Sequence, residues 1–328
     1  MTHFARRALR VSFGALVSVA CALCTGTAAA QDYPQRSIRL VVPSAPGGGG
    51  DFVARLVGEK VGRILKQPVV VENRGGGGGN IATEVVRSAK PDGYTLLLTG
   101  NNHPLNVYLF AKAPYALNEF VAIAEATRGP SVLVAANNAP FSTLRELIAQ
   151  AKAKPGTIAY GSPGVGLPSH IAAELFQRAA GISLVHAPYR GSGPSLADAS
   201  GGQIPLVSST LSAALPLIQA GKLKALAVTS EQRWPALPDT PTVAEVLGKP
   251  FSHLTWLGIL APAGTPPEIV SRLNATVNDV LKDKAVQDAL VAQGTLPRGG
   301  TPADFQATID REAVVSKQLV EAGGLKVE

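Results

Sequence analysis

The sequence predicts an α/β fold of two similar lobes, and three observations support this prediction. The chain has 328 residues, of which roughly 300 follow an N-terminal leader, more than one hydrophobic core usually fills. Strand-like and helix-like segments alternate, and the 34 glycines and 25 prolines fall mostly between them. The same order of strand, loop and helix also occurs twice along the chain.

The first thirty residues have the pattern of a cleavable secretory signal peptide. Three arginines within the first ten residues precede a mostly apolar stretch over residues 11–23, and residues 28–30 offer an A-x-A cleavage site. The apolar stretch is too short for a membrane span. We therefore predict an exported mature chain that is not embedded in the membrane. The Arg6–Arg7 pair leaves Sec and twin-arginine export as alternatives.

Composition excludes several classes of function. Both cysteines lie in the leader, so the mature chain has no disulfide, thiolate metal site or cysteine nucleophile. The net charge of +7 falls to about +4 once the three leader arginines are removed. No basic run is interleaved with aromatic residues, so we expect no nucleic-acid partner.

The first repeat begins at the stretch "IRLVVPSAPGGGG", which predicts a strand and then a glycine-rich loop. A helix follows, with Val53, Leu56, Val57, Val61 and Ile64 on one face. "QPVVVENRGGGGGNIATEVV" predicts a second strand over residues 69–71, a loop over 73–79 and a helix from about residue 80. "DGYTLLLTGNNHP" supplies a third strand and a polar loop.

The second repeat has the same order. "TIAYGSPGVGLPSHIAAELF" and "ISLVHAPYRGSGPSLADA" each predict a strand, a loop and a helix, and "GGQIPLVSSTLSAALP" ends the unit. Pro46 and Arg74 are 28 residues apart, and Pro163 and Arg190 are 27 apart. Loops that follow parallel strands lie at the carboxyl edge of a sheet, where ligands bind. Two such edges that face each other would form a cleft.

The loop over residues 44–51 does not fit a nucleotide phosphate. A P-loop needs a lysine after its last glycine, but Asp51 follows Gly50, and neither glycine run completes G-x-G-x-x-G. The backbone amides of a helix N-terminus remain, and these bind a carboxylate without any arginine. Four consecutive glycines exceed what a turn needs and favour close approach of a ligand. For Asp51 itself a helix-capping role is favoured over ligand contact.

In the second repeat, Ser162, Gly164, Gly166 and Ser169 offer amides and hydroxyls at the equivalent turn. His170 is expected at the start of the following helix, either packed or in contact with a ligand. Arg190, beside Tyr189, is a candidate for a charge-assisted contact or for a salt bridge. Of two further histidines, His103 is placed within reach of the cleft. We expect His186, within a strand, to be structural.

The sequence indicates no enzyme, metal or cofactor. It contains no G-x-S-x-G elbow, no H-E-x-x-H motif and no His/Asp cluster at metal spacing. The predicted cleft loops also lack paired carboxylates and are rich in Gly, Ser, Thr and Asn. Such loops suit a site that binds a ligand and releases it unchanged.

Across the mature chain, the motifs resemble a known family of solute receptors. "YPQRSIRLVVPSAPGGGGDFVARL", "QPVVVENRGGGGGNIA", "KPDGYTLLL", "AYGSPGVGLPSHIAAELF", "VHAPYRGSGPSLADASGGQI", "AGKLKALAVTS", "LPDTPTVAE" and "LGILAPAGTPPEIVSRLN" are similar to the tripartite tricarboxylate transporter substrate-binding proteins, the Bordetella-uptake type. The resemblance implies a type II periplasmic-binding-protein (Venus flytrap) fold in which each lobe is a mixed sheet flanked by helices. It also implies a small carboxylate ligand and the permease subunits of such a transporter as partners. We expect a monomer.

The resemblance also implies lobe limits, hinges and site residues. Lobe 1 is expected over residues 31–132 and 256–328 and lobe 2 over 133–255, with hinges near 131–135 and 255–259. Helices over residues 266–282 and 302–322 are expected to pack on lobe 1. The predicted ligand-binding residues are Ser44, Ala45, Pro46, Gly47, Gly48, Gly49, Gly50, Asp51, Gly79, Asn80, Thr99, Asn101, Ser162, Gly164, Gly166, Ser169, His170, Tyr189, Arg190, Ser209 and Thr210.

Two departures from the family pattern bear on the ligand. The first turn has Gly49 and Gly50 where relatives often carry a hydroxyl, so backbone amides are expected to hold the anion. Ser209 stands where many relatives carry an aspartate, which favours non-amino carboxylates over amino acids. A receptor that feeds a signalling partner and an extracytoplasmic enzyme acting on carboxylates remain as alternatives to transport.

Overall fold

The computed structural model describes residues 33–44, 46, 48–110, 112 and 114–321. The predicted signal peptide, Ala45 and Gly47 of the predicted site and residue 322 of the last predicted helix lie outside this part of the chain. Contacts divide the chain into two units, Met1–Gln35 and Arg36–Glu328. Only residues 33–35 of the first unit are described, and the peptide bond between Tyr33 and Pro34 is cis. Every element named below belongs to the second unit.

The described residues form an alternation of strands and helices. The strands are β1 Ile38–Val42, β2 Val69–Asn73, β3 Thr95–Gly100, β4 Phe120–Ala136, β5 Ala159–Ser162, β6 Val185–Pro188, β7 Leu206–Thr210, β8 Leu223–Val228, β9 Leu254–Pro262 and β10 Leu296–Pro297. The helices are α1 Gly49–Leu65, α2 Asn80–Arg87, α3 Asn102–Leu109, α4 Leu144–Ala153, α5 Pro168–Ala180, α6 Ser192–Ser200, α7 Leu211–Gln219, α8 Val243–Leu247, α9 Pro267–Lys282, α10 Lys284–Ala292 and α11 Pro302–Glu321.

Lobe 1 is built on a mixed sheet in which β1 lies between β2 and β3, parallel to both. β9 pairs antiparallel with β3, and the first part of β4 pairs antiparallel with β9. The predicted apolar face of α1 is confirmed for Val53, Val57 and Val61, which are buried, whereas Ile64 is half exposed. Full burial of a valine or leucine contributes roughly 1.5–3 kcal/mol.

Lobe 2 repeats this plan, which confirms the internal repeat. β5 lies between β6 and β7 and is parallel to both, just as β1 is parallel to its two neighbours. The second part of β4 then pairs antiparallel with β7 and with β8. Because α1, α2, α5 and α6 each follow a parallel strand, their N-termini lie at the carboxyl edges of the two sheets.

The two lobes share the 17-residue strand β4. Its residues up to Pro130 pair with β9, and from Ser131 onward they pair with β7 and β8. Thr229, just after β8, ties the chain segments together here, because its hydroxyl accepts from the Ser131 amide and lies 2.7 Å from the His253 carbonyl oxygen. The predicted hinges fall in this region of β4 and β9. The hinges and the limits of the lobes stay predictions.

The C-terminal helices pack on elements of lobe 1, with α9 against α1 and β4 and α11 against α3 and β4. The predicted bounds of α9 are confirmed to within one residue. Between these helices the structure has α10, which the sequence analysis missed. Its start is marked by Asp283, whose carboxylate accepts from the amide of Ala285 at 2.8 Å.

Candidate functional site

The turn between β1 and α1 ends in a helix N-terminus made of glycine. Gly48 is the N-cap residue, and the first intrahelical bond runs from the Phe52 amide to the Gly48 carbonyl oxygen at 2.9 Å. The amides of Gly49 and Gly50 come before that bond, so they have no intrahelical acceptor. The helix dipole adds a partial positive charge at the same point. The turn therefore provides donors for an anion without any basic side chain.

Asp51 follows the N-cap residue Gly48 and is not itself the N-cap residue of α1. It lies in the first turn of α1 and is buried, and its carboxylate is held by the Arg55 guanidinium, with Nη2 at 2.9 Å and Nε at 3.0 Å. Arg55 also donates to the Asn73 side chain, which in turn donates to the Ser44 carbonyl oxygen. Asp51 thus braces the first turn against the loop after β2.

The turn between β5 and α5 uses several of its own amides. The Gly164 amide donates to Ser162 Oγ at 3.2 Å, and the Gly166 amide donates to His170 Nδ1 at 3.1 Å. His170 is the third residue of α5, as predicted, and it is buried. The Ser131 hydroxyl in β4 donates to the Ser169 hydroxyl. The two glycine amides that we expected to grip a ligand are therefore already committed within the turn.

Each turn touches the opposite lobe. A Cβ on Gly49 would lie 3.2 Å from Ser212 Oγ, in the first turn of α7. A Cβ on Gly166, whose φ is +76°, would lie 2.8 Å from Leu109 Cδ2 at the end of α3. Leu105, Leu109, Ile171 and Leu319 form a buried apolar cluster beside this second contact. Glycine at both positions is what lets the turns and the facing helices come this close.

The contact between Gly49 and Ser212 brings two helix N-termini together, those of α1 and α7. Thr210 is the N-cap residue of α7 and makes no side-chain capping bond, although its hydroxyl accepts from Ser212 at 3.3 Å. Both helix ends carry partial positive charge and unsatisfied amides. Their meeting point is favourable for a negatively charged group.

Three predicted residues have buried hydroxyl oxygens without a hydrogen-bond partner among the described residues, namely Ser44, Thr99 and Ser209. They follow or end β1, β3 and β7, at the carboxyl edges of the two sheets. A buried hydroxyl that lacks a partner costs about 1–3 kcal/mol. These three positions are therefore suited to accept a hydrogen-bonding ligand.

The predicted residues around the glycine loop after β2 are mostly used to hold that loop. Gly79 has φ +100°, and the Asn102 and Asn106 amides donate to the Gly78 carbonyl oxygen at 2.9 and 3.0 Å. Asn80 Oδ1 accepts from Asn106 at 2.7 Å.

Asn101 holds strand β9. It is fully buried, and its amide group donates to the Leu254 carbonyl oxygen and accepts from the Trp256 amide. One donor and one acceptor position of the Asn101 amide are thus used to hold β9, and its role in ligand binding stays a prediction.

The loop after β6 is tied to the loop after β5. The Tyr189 amide donates to the Ser162 carbonyl oxygen at 3.0 Å, and the Gly191 amide donates to the Pro163 carbonyl oxygen at 2.8 Å. The Tyr189 hydroxyl donates to Asp198 at 2.8 Å, away from these bonds. Arg190 is exposed and has no ion pair within the part of the chain that the structure describes.

His103 does not reach the cleft, so that expectation was wrong. Its ring is buried, stacked on Tyr115 at 4.8 Å between centroids and edge-on to Phe120 at 4.9 Å. Burial lowers the pKa of His103 to about 3, which keeps it neutral. His103 therefore packs in the core of lobe 1.

Two residues near the site were missed or set aside in the sequence analysis. Ser212 was omitted because the predicted contacts ended at Thr210, although the first turn of a helix after a strand is a regular ligand position. His186 was expected to be only structural, yet its Nε2 lies 2.7 Å from Ser162 Oγ. This contact depends on the register of β6 against β5, which pairs His186 with Tyr160 and which the sequence alone does not reveal.

Within residues 33–44, 46, 48–110, 112 and 114–321, no three His, Cys, Asp or Glu side chains cluster so as to hold a metal ion. Among these same residues, no helix is both long and apolar enough to cross a bilayer.

Comparison with known proteins identifies a family. Residues 53–325 match the family model described as the tripartite tricarboxylate transporter family receptor. The protein BugT of Bordetella pertussis is 36% identical over 315 residues, covering 95% of this chain and 97% of BugT. A protein of Pseudomonas sp. (strain P51), encoded in the tcbD-tcbE intergenic region, is 37% identical over 292 residues, with 88% and 87% covered.

Solved structures agree with this assignment. Rpa4515 of R. palustris, solved with adipate, has a TM-score of 0.84 at 32% identity and covers 90% of this chain and 99% of its own. MatC of Rhodopseudomonas palustris, solved with malate, has a TM-score of 0.80 at 31% identity, with 88% and 100% covered. The periplasmic binding protein BugD has a TM-score of 0.82 at 32% identity, with 90% and 100% covered.

Proposed function

The chain belongs to the tripartite tricarboxylate transporter receptor family, and we propose that it captures a small organic carboxylate between its two lobes and delivers it to a membrane permease of that transporter class. We infer export by the predicted signal peptide and a periplasmic location. The proposal concerns reversible binding, with no chemical change to the ligand.

The observation that carries the proposal is the meeting of two helix N-termini from opposite lobes, at Gly49 of α1 and Ser212 of α7. Each helix end is equivalent to about half a positive charge, so the two ends repel one another until an anion lies between them. A carboxylate at this point is held by backbone amides of both lobes. It therefore favours the closed arrangement over the open one.

The unpartnered hydroxyls of Ser44, Thr99 and Ser209 support the same ligand class. Each hydroxyl is able to donate to a carboxylate oxygen. Asp51 is the only carboxylate in the predicted set, and it is engaged by Arg55. A ligand ammonium group would thus have no carboxylate partner from that set. The adipate and malate in two related structures are also carboxylates without an amino group.

Release to the permease would follow from the same geometry. Ligand binding shifts the population of closed protein only as far as the ligand prefers the closed form. We infer that β4 and β9 bend near residues 131–135 and 255–259 when the lobes separate. Contact with the permease would then need only to favour the open form.

A thermal-shift screen of the purified protein tests this proposal. The panel contains adipate, malate, citrate, benzoate, glutamate and glucose, each at the same concentration and pH. A carboxylate at about 100 times its Kd adds roughly 2.7 kcal/mol to the free energy of unfolding, which raises Tm by several degrees. We expect such a rise with adipate or malate. A rise with glutamate or glucose alone would overturn the proposed ligand class.

A further inference from the structure

The side chain of His186 has no place in the proposed contacts, yet it lies against the second-lobe turn. Its ring is stacked between two others, 4.9 Å from the Tyr160 ring and 4.0 Å from the His170 ring, with interplanar angles of 22° and 14°. Its Nε2 lies 2.7 Å from Ser162 Oγ. The stack therefore fixes the ring with one nitrogen directed at a predicted ligand residue.

His170, which stacks on the side of His186 opposite Tyr160, has a defined tautomer. Its Nδ1 accepts the Gly166 amide proton, so in the neutral ring the proton is on Nε2, which lies 3.8 Å from Glu174 Oε1. Glu174 in turn accepts from the Tyr160 hydroxyl at 2.7 Å and from Gln177 at 2.8 Å. Both ends of the stack are thus anchored within lobe 2.

Burial keeps both imidazoles neutral. It lowers the pKa of His170 to about 3 and the pKa of His186 to about 4. A neutral His186 carries a single proton, on Nδ1 or on Nε2. Which nitrogen carries it decides what Ser162 is able to do.

Ser162 is fully buried, and its hydroxyl has one proton and two acceptor positions. The Gly164 amide fills one acceptor position at 3.2 Å. If His186 Nε2 accepts the hydroxyl proton, Ser162 is left only as an acceptor, which a carboxylate cannot use. If His186 Nε2–H donates instead, both acceptor positions are filled and the hydroxyl proton is free to donate. Among the described residues, the hydroxyl proton has one other acceptor nearby, the Gly164 carbonyl oxygen, and at 3.4 Å this contact is long.

We propose that His186 is a positioning residue for the ligand: by donating from Nε2 to Ser162 Oγ, it directs the Ser162 hydroxyl proton to a bound carboxylate. This inference rests on the proposed function. It assigns a side-chain donor to the turn after β5, where the Gly164 and Gly166 amides are already engaged within the turn.

A double-mutant cycle tests the inference. Binding of adipate and of malate is measured by titration calorimetry for wild type, Ser162→Ala, His186→Phe and the combined variant. Phenylalanine keeps the ring stack and removes the donor. A hydrogen bond to a charged group is worth about 1.5–3 kcal/mol, so each single change should weaken binding about tenfold or more. Because His186 acts through Ser162, the combined variant should bind as Ser162→Ala does.

Two further variants separate positioning from general damage. His186→Gln places an amide donor near the position of Nε2, so it should keep most of the affinity. Tyr160→Phe removes only the hydroxyl at the far side of the stack and should change affinity less than twofold. Ring-nitrogen NMR of the wild-type complex should show His186 protonated at Nε2.

Each outcome decides a different claim. If wild type binds adipate or malate and the two single losses multiply in the combined variant, His186 does not act through Ser162 and the inference fails while the proposed function stands. The inference also fails if His186→Phe binds the acid with wild-type affinity. It fails equally if the His186 proton lies on Nδ1 in the complex. If wild type binds neither acid, the proposed function for these ligands fails, and the inference fails with it.

Discussion

The turn after β1 and the turn after β5 occupy equivalent places in the repeat, but their donors differ. In the first turn the Gly49 and Gly50 amides come before the first intrahelical bond of α1. In the second turn the Gly164 and Gly166 amides donate to Ser162 and His170. The same sequence scheme therefore leaves helix-terminal amides without intrahelical acceptors in one lobe, whereas in the other lobe the glycine amides are engaged within the turn, beside a stack of rings. Glycine content alone does not distinguish the two.

The largest expected effect comes from placing charge at the turn after β1. Gly49→Asp adds a carboxylate at the N-terminus of α1, where it would occupy the anion position and press on Ser212 Oγ. We expect at least a hundredfold loss of affinity for the acid that gives the largest Tm shift, measured by titration calorimetry. Gly49→Asn is the matched control, because it has nearly the same size without the charge. Equal losses of affinity in Gly49→Asp and Gly49→Asn would show that the size of the added side chain, and not its charge, weakens binding.

The next effect concerns the buried imidazole of the second turn. The folded-state pKa of His170 is about 3, below the ordinary value of 6.5, so the unfolded chain binds more protons between these values. The contribution of His170 is complete above pH 6.5 and is lost as the pH falls towards 3. For this one group the loss between pH 7 and pH 5 is about 2 kcal/mol.

His170→Asn isolates this contribution, because asparagine offers an acceptor for the Gly166 amide and does not titrate. Denaturant unfolding at pH 7, 6 and 5 should show that the variant loses about 2 kcal/mol less than wild type over this interval. His103 and His186 titrate in the same direction in both proteins. Parallel losses in the two proteins would mean that His170 is not buried in solution.

A smaller effect is expected from the apolar contact of the second turn. Gly166→Ala forces a side chain into positive φ and towards Leu109 Cδ2, which should lower the free energy of unfolding by about 1–2 kcal/mol. Leu109 belongs to the opposite lobe, so carboxylate affinity should fall as well. The pair Gly166→Ala with Leu109→Ala should regain part of the affinity but not the backbone cost. No affinity loss in Gly166→Ala would place the closed lobes farther apart at this point.

The smallest effect is expected at Arg190. The sequence marked it as a candidate for a charge-assisted contact, whereas the structure leaves it exposed and without an ion pair among the described residues. Arg190→Ala should therefore change carboxylate affinity by less than about threefold, within the range of an exposed charge. A tenfold loss would show that Arg190 moves onto the ligand, and the second lobe would then hold its anion by charge.

The repeat, the parallel strands and the two turns were predictable from the sequence because each rests on local patterns of apolar residues and glycine. The distant partners of the side chains were not. Asp51 was predicted to cap α1, but in the structure it forms a salt bridge with Arg55 one turn later. Asn101 was predicted as a ligand-binding residue, but its amide is hydrogen-bonded to β9, more than 150 residues away in the sequence. The contact of His186 with Ser162 depends on the register of β6 against β5. The pairings of Asn101 and His186 are set by tertiary packing, which short-range pattern does not encode, whereas Asp51 and Arg55 lie four residues apart on α1 and their pairing could have been predicted from the sequence.

The central claim is that a carboxylate is held between the N-termini of α1 and α7. A crystal structure of the complex with adipate or malate, whichever gives the larger Tm shift, tests it most directly. We predict one carboxylate oxygen within hydrogen-bond distance of the Gly49 or Gly50 amide and also close to the first turn of α7. A carboxylate bound instead at Arg190, with both helix ends facing solvent, would contradict the account.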